Sequence, residues 1–248
     1  MRIPTLRGVI DRRILVNFSV DPEVLARIVP PPFRPKTVRG RGLAGICLIR
    51  LRAIRPRLVP AWMGISSENA AHRIAVEWDE GGELRSGVYI PRRDTSSGLN
   101  AWAGGRLFPG EHHRARFTTS EGEGSLRVAF ESDDGGARLD FEGRVGGSLP
   151  PGSVFATMEE ASRFFEQGSV GYSVTSRPGT YDGLELKTLD WRVEPLELVR
   201  ADSSFFADRE RFPEGSVSFD SALLMRDVRH EWHGRDTLYG PCCAEAVP

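Results

Sequence analysis

Lysine is almost missing from this chain, although basic residues are common. Of the 33 lysine and arginine residues among 248 amino acids, only Lys36 and Lys187 are lysines. Arginine stays protonated in proteins, so it does not attack a carbonyl carbon as a neutral amine. Chemistry through a Schiff base would therefore depend on two side chains or on the N-terminal amine.

The chain also lacks long apolar runs and a large net charge. No apolar stretch reaches the roughly 18 residues of a transmembrane helix, and the first residues have no apolar segment typical of a signal peptide. The formal net charge of −1 gives no general attraction to nucleic acid or to an anionic membrane. We therefore expect a cytoplasmic protein that binds neither nucleic acid nor membrane.

Cysteines are few, and common catalytic signatures are missing. The three cysteines suit a reducing compartment; we expect Cys47 to be buried, and the pair Cys242-Cys243 to be inert. The sequence has no phosphate-loop, GxSxG or HExxH motif and no GxGxxG motif that follows a predicted strand. His230 and His233 have the spacing of a helical metal pair, but their surroundings are typical of strand and loop. We predict neither a metal nor another cofactor.

The order of apolar, polar and turn-forming residues along the chain is typical of a β protein. Apolar and polar residues alternate from Ile14 to Val20, which predicts a strand. The turn sequences at 79–82 and 133–136 each lie between apolar stretches and predict two hairpins. Helices are predicted after Asp21, at 97–107, and after the Thr157-x-x-Glu160 capping box. Further strands are predicted at 171–175, 183–199 and 216–232.

This pattern predicts one mainly β domain spanning residues 1–248. Its sheet should be mostly antiparallel and closed, or folded over, so that no long edge is exposed.

The first candidate site is the polar group that begins a predicted strand at Glu68. On a strand, Glu68 and His72 point to one face while Asn69 and Arg73 point to the other. A carboxylate beside a histidine is typical of an acid–base pair. A salt-bridged strand end is the structural alternative.

The second candidate site, Arg92-Arg93-Asp94, follows the apolar strand that ends near Ile90. Paired arginines favour recognition of a carboxylate, because their planar groups bind both of its oxygens. The alternative is an Arg–Asp network at the surface.

The third candidate site is the stretch 104–116, with Arg106, His112, His113 and Arg114. Histidine titrates near neutral pH and suits proton transfer. In a strand the two adjacent rings point to opposite faces, so only one of them enters a given pocket.

Several stretches together resemble the uncharacterised bacterial YqjF-like proteins of the acetoacetate decarboxylase-like superfamily. The similarity is carried by the stretches 17–22, 29–31, 45–57, 66–73, 87–94 and 104–108. It implies a large curved sheet closed into a barrel or cone around an internal pocket. It also implies a polar pocket lining that includes Glu68, Arg93, Arg106 and His113.

The resemblance also bears on mechanism. In the decarboxylases a stretch similar to Gly-Arg-Glu-x-x-Gly-Tyr-Pro-Lys-Lys supplies the Schiff-base lysine and a second lysine. When it is aligned with Gly105-Arg106 and Gly110, the two lysine positions fall on His113 and Arg114. Histidine forms no protonated imine, so lysine-dependent decarboxylation is disfavoured.

Two hypotheses follow for a small, anionic ligand. In the first, the protein is an enzyme acting on a carbonyl or carboxylate compound: His113 moves a proton with Glu68 or His72, and Arg93 or Arg106 holds the anion, with Arg92, Arg114 and His112 nearby. In the second, the protein binds a small molecule in the same pocket without chemistry. A purely structural role explains the polar clusters less well. The sequence leaves homo-oligomer formation open.

Overall fold

The computed structural model describes residues 5–105 and 109–240. These residues form 13 strands, four short α-helices and a 3-10 turn at Ala61–Met63. The strands are β1 (Leu6–Val20), β2 (Arg34–Pro35), β3 (Thr37–Val38), β4 (Arg41–Pro56), β5 (Ile65–Glu80), β6 (Glu83–Thr95), β7 (His112–Gly122), β8 (Ser125–Ser132), β9 (Arg138–Val145), β10 (Val170–Val174), β11 (Thr180–Thr188), β12 (Glu194–Ser203) and β13 (Val217–Tyr239). The helices are α1 (Pro22–Ile28), α2 (Gly98–Ala103), α3 (Met158–Gln167) and α4 (Ser204–Ala207).

The sheet closes into a ring. Starting from β6, the pairings run through β7, β8, β9, β12, β13, β1, β4 and β5 and return to β6. The hairpin of β10 and β11 forms a second connection between β6 and β13. The prediction of a mainly β fold with a closed sheet is thus confirmed.

The sheet is mostly antiparallel, as predicted, but it is mixed because one strand has parallel neighbours. Strand β6 pairs in parallel with β7 and with β10, whereas the other pairings are antiparallel. A tight hairpin joins only antiparallel neighbours. Here α2 and the segment after it separate β6 from β7, and this longer connection allows the parallel pairing.

The closed sheet has an inner and an outer face with separate apolar cores. The inner core contains alternate residues of β1, such as Ile14 and Val16, together with Phe205 of α4. The outer core contains Leu15 and is covered by Phe165 of α3. Burying one such large apolar side chain contributes about 1.5–3 kcal/mol relative to leaving it exposed.

Local signals set the starts of two helices as predicted. The Asp21 side chain accepts a hydrogen bond from the Glu23 amide at 2.9 Å. The Thr157 hydroxyl accepts from the Glu160 amide at 3.2 Å, and the Glu160 carboxylate accepts from the Ala156 amide at 2.8 Å. Each bond satisfies an amide at a helix start that has no partner within the helix.

The predicted strand at 183–199 is wrong as a single element. It is divided into β11, which ends at Thr188, and β12, which begins at Glu194. The two strands pair with different parts of β13. Between them, Trp191 turns towards α3 and donates its indole hydrogen to Ser162 Oγ at 2.9 Å.

Within the described ranges, no helix has the length and apolarity needed to cross a membrane.

Candidate functional site

The inner face of the sheet carries an ionic cluster near the start of β5, which we call the Glu68 cluster: Arg12, Arg50, Glu68 and Glu121. Arg12 is fully buried, and its two terminal nitrogens lie 2.7 Å from Glu68 and 2.6 Å from Glu121. Arg50 contacts the other Glu68 oxygen at 2.5 Å and Glu121 at 2.9 Å. Both oxygens of Glu68 therefore bind arginine.

Electrostatic interactions within the cluster favour the charged forms of Glu121 and Arg50. Burial opposes ionisation of Glu121, but hydrogen bonds from Arg12 and Arg226 outweigh burial and hold the pKa of Glu121 below its usual value. Burial also lowers the pKa of Arg50, but Glu68 and Glu121 more than compensate, so that pKa is raised. Charged pairs of this kind are costly to break, because removal of one partner leaves a buried charge uncompensated.

His72 lies on the same inner face but in apolar surroundings. Its ring centroid is 4.4 Å from that of Phe205 and 6.4 Å from that of Phe130. Both ring nitrogens are buried and have no hydrogen-bond partner among the described residues. Burial, helped by the charges of Arg92 and Arg211, lowers the pKa of His72 to about 3. This histidine is neutral at physiological pH.

His113 lies at the start of β7, beside Asp94 of β6. Its Nδ1 is 2.9 Å from Asp134 Oδ2, and Asp134 belongs to the turn between β8 and β9. Arg92 contacts Asp134 at 2.7 Å and the fully buried Asp94 at 2.9 Å. We call this arrangement of Arg92, Asp94, His113 and Asp134 the His113 cluster.

The two carboxylates of the His113 cluster have opposite pKa shifts. The hydrogen bond from Arg92 holds the pKa of Asp134 well below its usual range, and bonds from Ser132 and the Gly136 amide act in the same direction. Burial raises the pKa of Asp94 in spite of its contact with Arg92. Asp134 is thus the firmly ionised partner of His113.

Arg93 and His112 are neighbours on the outer face of the sheet. They are paired positions of β6 and β7. Arg93 Nε donates to Ser173 Oγ at 3.2 Å, and His112 Nδ1 lies 3.0 Å from the Gly110 carbonyl oxygen. Burial lowers the pKa of Arg93 to about 10. Burial, followed by the charge of Arg93, lowers the pKa of His112 to about 3.

Two further predicted site residues belong to the stretch 104–116: Arg106 and Arg114. Arg114 is exposed on β7. Arg106 lies outside the described residues.

The structure brings some predicted residues together and separates others. Glu68 and His72 share a face, but Glu68 binds arginines whereas His72 contacts aromatic rings. Glu68 and His113 have different partners and form no hydrogen bond with each other within the described part of the chain. His112 and His113 lie on opposite faces.

Sequence reasoning did not identify four of the charged partners: Arg12, Arg50, Glu121 and Asp134. The signal for Arg12 was its position in β1, two residues before Ile14, where alternation directs the side chain inward. Asp134 was assigned only to a turn. Across residues 5–105 and 109–240, no group of three or more potential metal-ligating side chains is arranged to hold a metal ion.

The closed mixed sheet defines an acetoacetate decarboxylase-like fold. Acetoacetate decarboxylase from Legionella pneumophila superimposes with a TM-score of 0.65 at 9% identity, over 97% of this chain and 89% of that chain. An acetoacetate decarboxylase-like enzyme from Sphingomonas wittichii RW1 gives 0.54 at 12%, over 97% and 92%. The enduracididine biosynthesis enzyme MppR complexed with pyruvate gives 0.59 at 12%, over 96% and 91%.

The family is established from the sequence itself. The model of the DUF2071 family, described as an uncharacterized conserved protein, matches residues 10–225. The chain belongs to this family, which agrees with the resemblance to YqjF-like proteins. No curated protein matches it.

Proposed function

We propose that the protein is an enzyme that transfers a proton on a small carbonyl or carboxylate compound, with His113 as the acid–base group. The observation that carries this proposal is the contact of 2.9 Å between His113 Nδ1 and Asp134 Oδ2. A carboxylate that accepts the Nδ1 proton leaves Nε2 as the proton acceptor and fixes the orientation of the ring. About a third of the His113 side chain is exposed, so a small molecule can reach it.

Asp134 is suited to this supporting role. Arg92 and the amide of Gly136 both donate to Oδ1 of Asp134, at 2.7 and 2.8 Å, which leaves Oδ2 to the histidine. Because the pKa of Asp134 is held well below its usual range, its negative charge persists across the neutral pH range. That charge stabilises the imidazolium which forms when His113 accepts a proton.

Arg93, a candidate from the sequence for binding the substrate carboxylate, lies with His112 on the face of the sheet opposite to His113, so it is not placed to hold a substrate on which His113 acts. Its only side-chain hydrogen bond among the described residues is to Ser173, so the rest of its planar group is available to an anion. Arg92, in contrast, is engaged by Asp94 and Asp134. His112 and Arg114 lie on β7 beside His113 and remain additional candidates for contact with an anion, as does Arg106, which lies outside the described residues.

Glu68 and His72 fit supporting positions better than proton transfer. Glu68 is held by Arg12 and Arg50 at 2.7 and 2.5 Å. His72 has a pKa of about 3 and fully buried nitrogens, which makes it a weak base in a closed site. We therefore assign proton transfer to His113 alone.

The similar folds support the substrate class and not the residue roles. One solved structure is an acetoacetate decarboxylase and another holds pyruvate, so this fold accommodates small keto acids in those proteins. The lysines of this chain lie elsewhere: Lys36 lies between β2 and β3, and Lys187 lies in β11. We accordingly propose proton transfer without an imine.

Solvent-deuterium exchange tests the proposal. The protein in deuterium oxide is incubated with pyruvate, 2-oxobutyrate, acetoacetate and their non-keto analogues, and proton NMR follows loss of the hydrogens next to the carbonyl. We expect catalysed exchange with at least one keto compound, reduced by at least about a hundredfold in His113→Gln. His233→Gln, a surface histidine paired with Glu231, is the matched control and should retain the rate.

Binding without catalysis is the second candidate. This candidate is favoured by Glu68, because both of its carboxylate oxygens bind arginine. The carboxylate is therefore engaged and does not act as a base. In this case a keto acid would shift amide NMR signals near Arg93 while its exchange rate stayed at the uncatalysed value. That combination of results would refute the enzyme proposal and support a binding protein.

A further inference from the structure

A small cavity lies on the outer face of the sheet, beneath α3. Its volume is about 30 Å³. Leu15 and Ala75 of the sheet and Phe164 and Phe165 of the helix form apolar parts of its wall. Leu15 points to the face opposite to the inner core, so this cavity is separate from the His113 cluster.

Three cationic side chains line the same cavity: Arg13, Lys36 and Arg73. No aspartate or glutamate lines it. Arg13 Nε lies 3.2 Å from Cys47 Sγ. Lys36 Nζ lies 3.3 Å from Ser86 Oγ and 5.0 Å from the centre of the Phe164 ring. Within the described residues, neither Arg13 nor Lys36 forms an ion pair with a carboxylate.

Arg73 is the most buried of the three, with 8% of its surface exposed. One of its terminal nitrogens donates to Asn17 Oδ1, and its guanidinium lies 4.9 Å from the centre of the Phe165 ring. Its Nε is buried and has no acceptor within the described part of the chain. Burial lowers the pKa of Arg73 to about 10, and the charge of Arg13 acts in the same direction.

The inner face shows how this chain normally accommodates buried arginines. Arg12 and Arg92 each contact two carboxylates there. Beneath α3, the side chains of Arg13, Lys36 and Arg73 also lie against apolar groups, but the described chain supplies no carboxylate partner for them. Buried charges in proteins are normally paired, so a bound anion would provide the charge that is missing.

We propose that this cavity binds a small organic monocarboxylate, with the carboxylate between Arg13, Lys36 and Arg73 and a short apolar part against Phe164 and Leu15. Arginine forks match the two oxygens of a carboxylate. The cavity volume of about 30 Å³ is only about two to three times the minimum of about 10–15 Å³ that one water molecule needs. It therefore suits a carboxylate with a short tail and excludes a nucleotide or a sugar phosphate. The proposal does not depend on catalysis by His113.

The scarcity of lysine makes a direct test simple. Protein labelled with ¹³C-lysine should give side-chain NMR signals from Lys36 and Lys187 alone, assigned with Lys36→Gln and Lys187→Gln. Propionate is titrated against chloride at constant ionic strength. We expect a saturable shift of the Lys36 signal while the Lys187 signal stays in place. Arg73→Gln should weaken the response by at least about tenfold, because a charge-assisted bond is lost.

Thermal unfolding provides a second measurement that does not need the buried variant. Propionate at about a hundredfold excess over its Kd should raise the Tm of the wild type by about 5 °C. Lys187→Gln is the matched control and should show the same rise, whereas Lys36→Gln should show a much smaller one.

Three results would overturn the proposal. The first is a Lys36 signal that does not respond to propionate. The second is an equal drift of both lysine signals, which indicates a general salt effect. The third is a response to phosphate or sulfate but not to propionate or acetate, which contradicts the carboxylate assignment.

Discussion

The buried histidine His72 makes the stability of the protein depend on pH in a way that one substitution should remove. His72 is fully buried, and neither ring nitrogen has a hydrogen-bond partner in the part of the chain that the structure describes. Its pKa is lowered from 6.5 to about 3, first by burial and then by the charges of Arg92 and Arg211. The unfolded chain therefore binds a proton on His72 at mildly acidic pH, whereas the folded chain does not.

The sign and size of the effect follow from linkage. Stability is fully present above the unfolded pKa of 6.5 and is lost as the pH falls from 6.5 towards 3. One pH unit in this window corresponds to about 1.4 kcal/mol. Between pH 7 and pH 4.5, His72 should cost the folded state about 2–3 kcal/mol.

Urea denaturation at the two pH values measures this contribution. We expect His72→Leu to lose about 2–3 kcal/mol less than the wild type on acidification, and to be at least as stable at pH 7 because two unpaired nitrogens are removed. His112 and His230, with pKa values of about 3 and about 4, should still contribute in both proteins. His233→Leu, at the surface, is the control. Equal acid losses in the wild type and His72→Leu would refute the dry, neutral environment assigned to His72.

Three further predictions concern the Glu68 cluster, α3 and the lysines. Glu68→Gln should lower the unfolding free energy by about 2–3 kcal/mol and the Tm by about 4–6 °C, because buried Arg12 keeps only the contact with Glu121. The control is Glu83→Gln, in an exposed pair with Arg85, which should change the unfolding free energy by less than about 1 kcal/mol. Equal effects of the two substitutions would contradict the role of burial. Thr157→Ala should cost about 1 kcal/mol by removing the bond to the Glu160 amide, whereas an unchanged urea midpoint would contradict the cap. Borohydride added with pyruvate or acetoacetate should leave the mass of the protein unchanged, and an adduct on Lys36 or Lys187 would refute a mechanism without an imine.

Local patterns were sufficient to predict much of the fold. Alternation of apolar residues located β1, the Asp-Asp-Gly-Gly turn at 133–136 located the hairpin of β8 and β9, and Thr157 with Glu160 located α3. Each of these signals involves residues that are neighbours in sequence. The division of β11 from β12 was missed because it depends on which part of β13 each strand pairs with.

The candidate site was only partly predictable for the same reason. Alternation correctly placed Glu68 and His72 on one face. It did not reveal that Arg12, 56 residues away from Glu68 and 109 residues away from Glu121, joins both carboxylates. The contact between Asp134 and His113 could not be predicted either. The turn sequence that contains Asp134 predicts a hairpin, and it carries no further signal for a contact with β7.

The central claim is that Asp134 orients His113 for proton transfer. Its most direct test is the rate of solvent-deuterium exchange into the best keto substrate, measured for Asp134→Asn and for Asp133→Asn. The two residues are adjacent in the same turn, but among residues 5–105 and 109–240 the Asp133 side chain forms an ion pair only with the exposed Arg116, at 3.5 Å.

We predict that Asp134→Asn lowers the rate by at least about a hundredfold, because an amide no longer stabilises the imidazolium, while Asp133→Asn retains it. Equal rates in the two variants would contradict the claim.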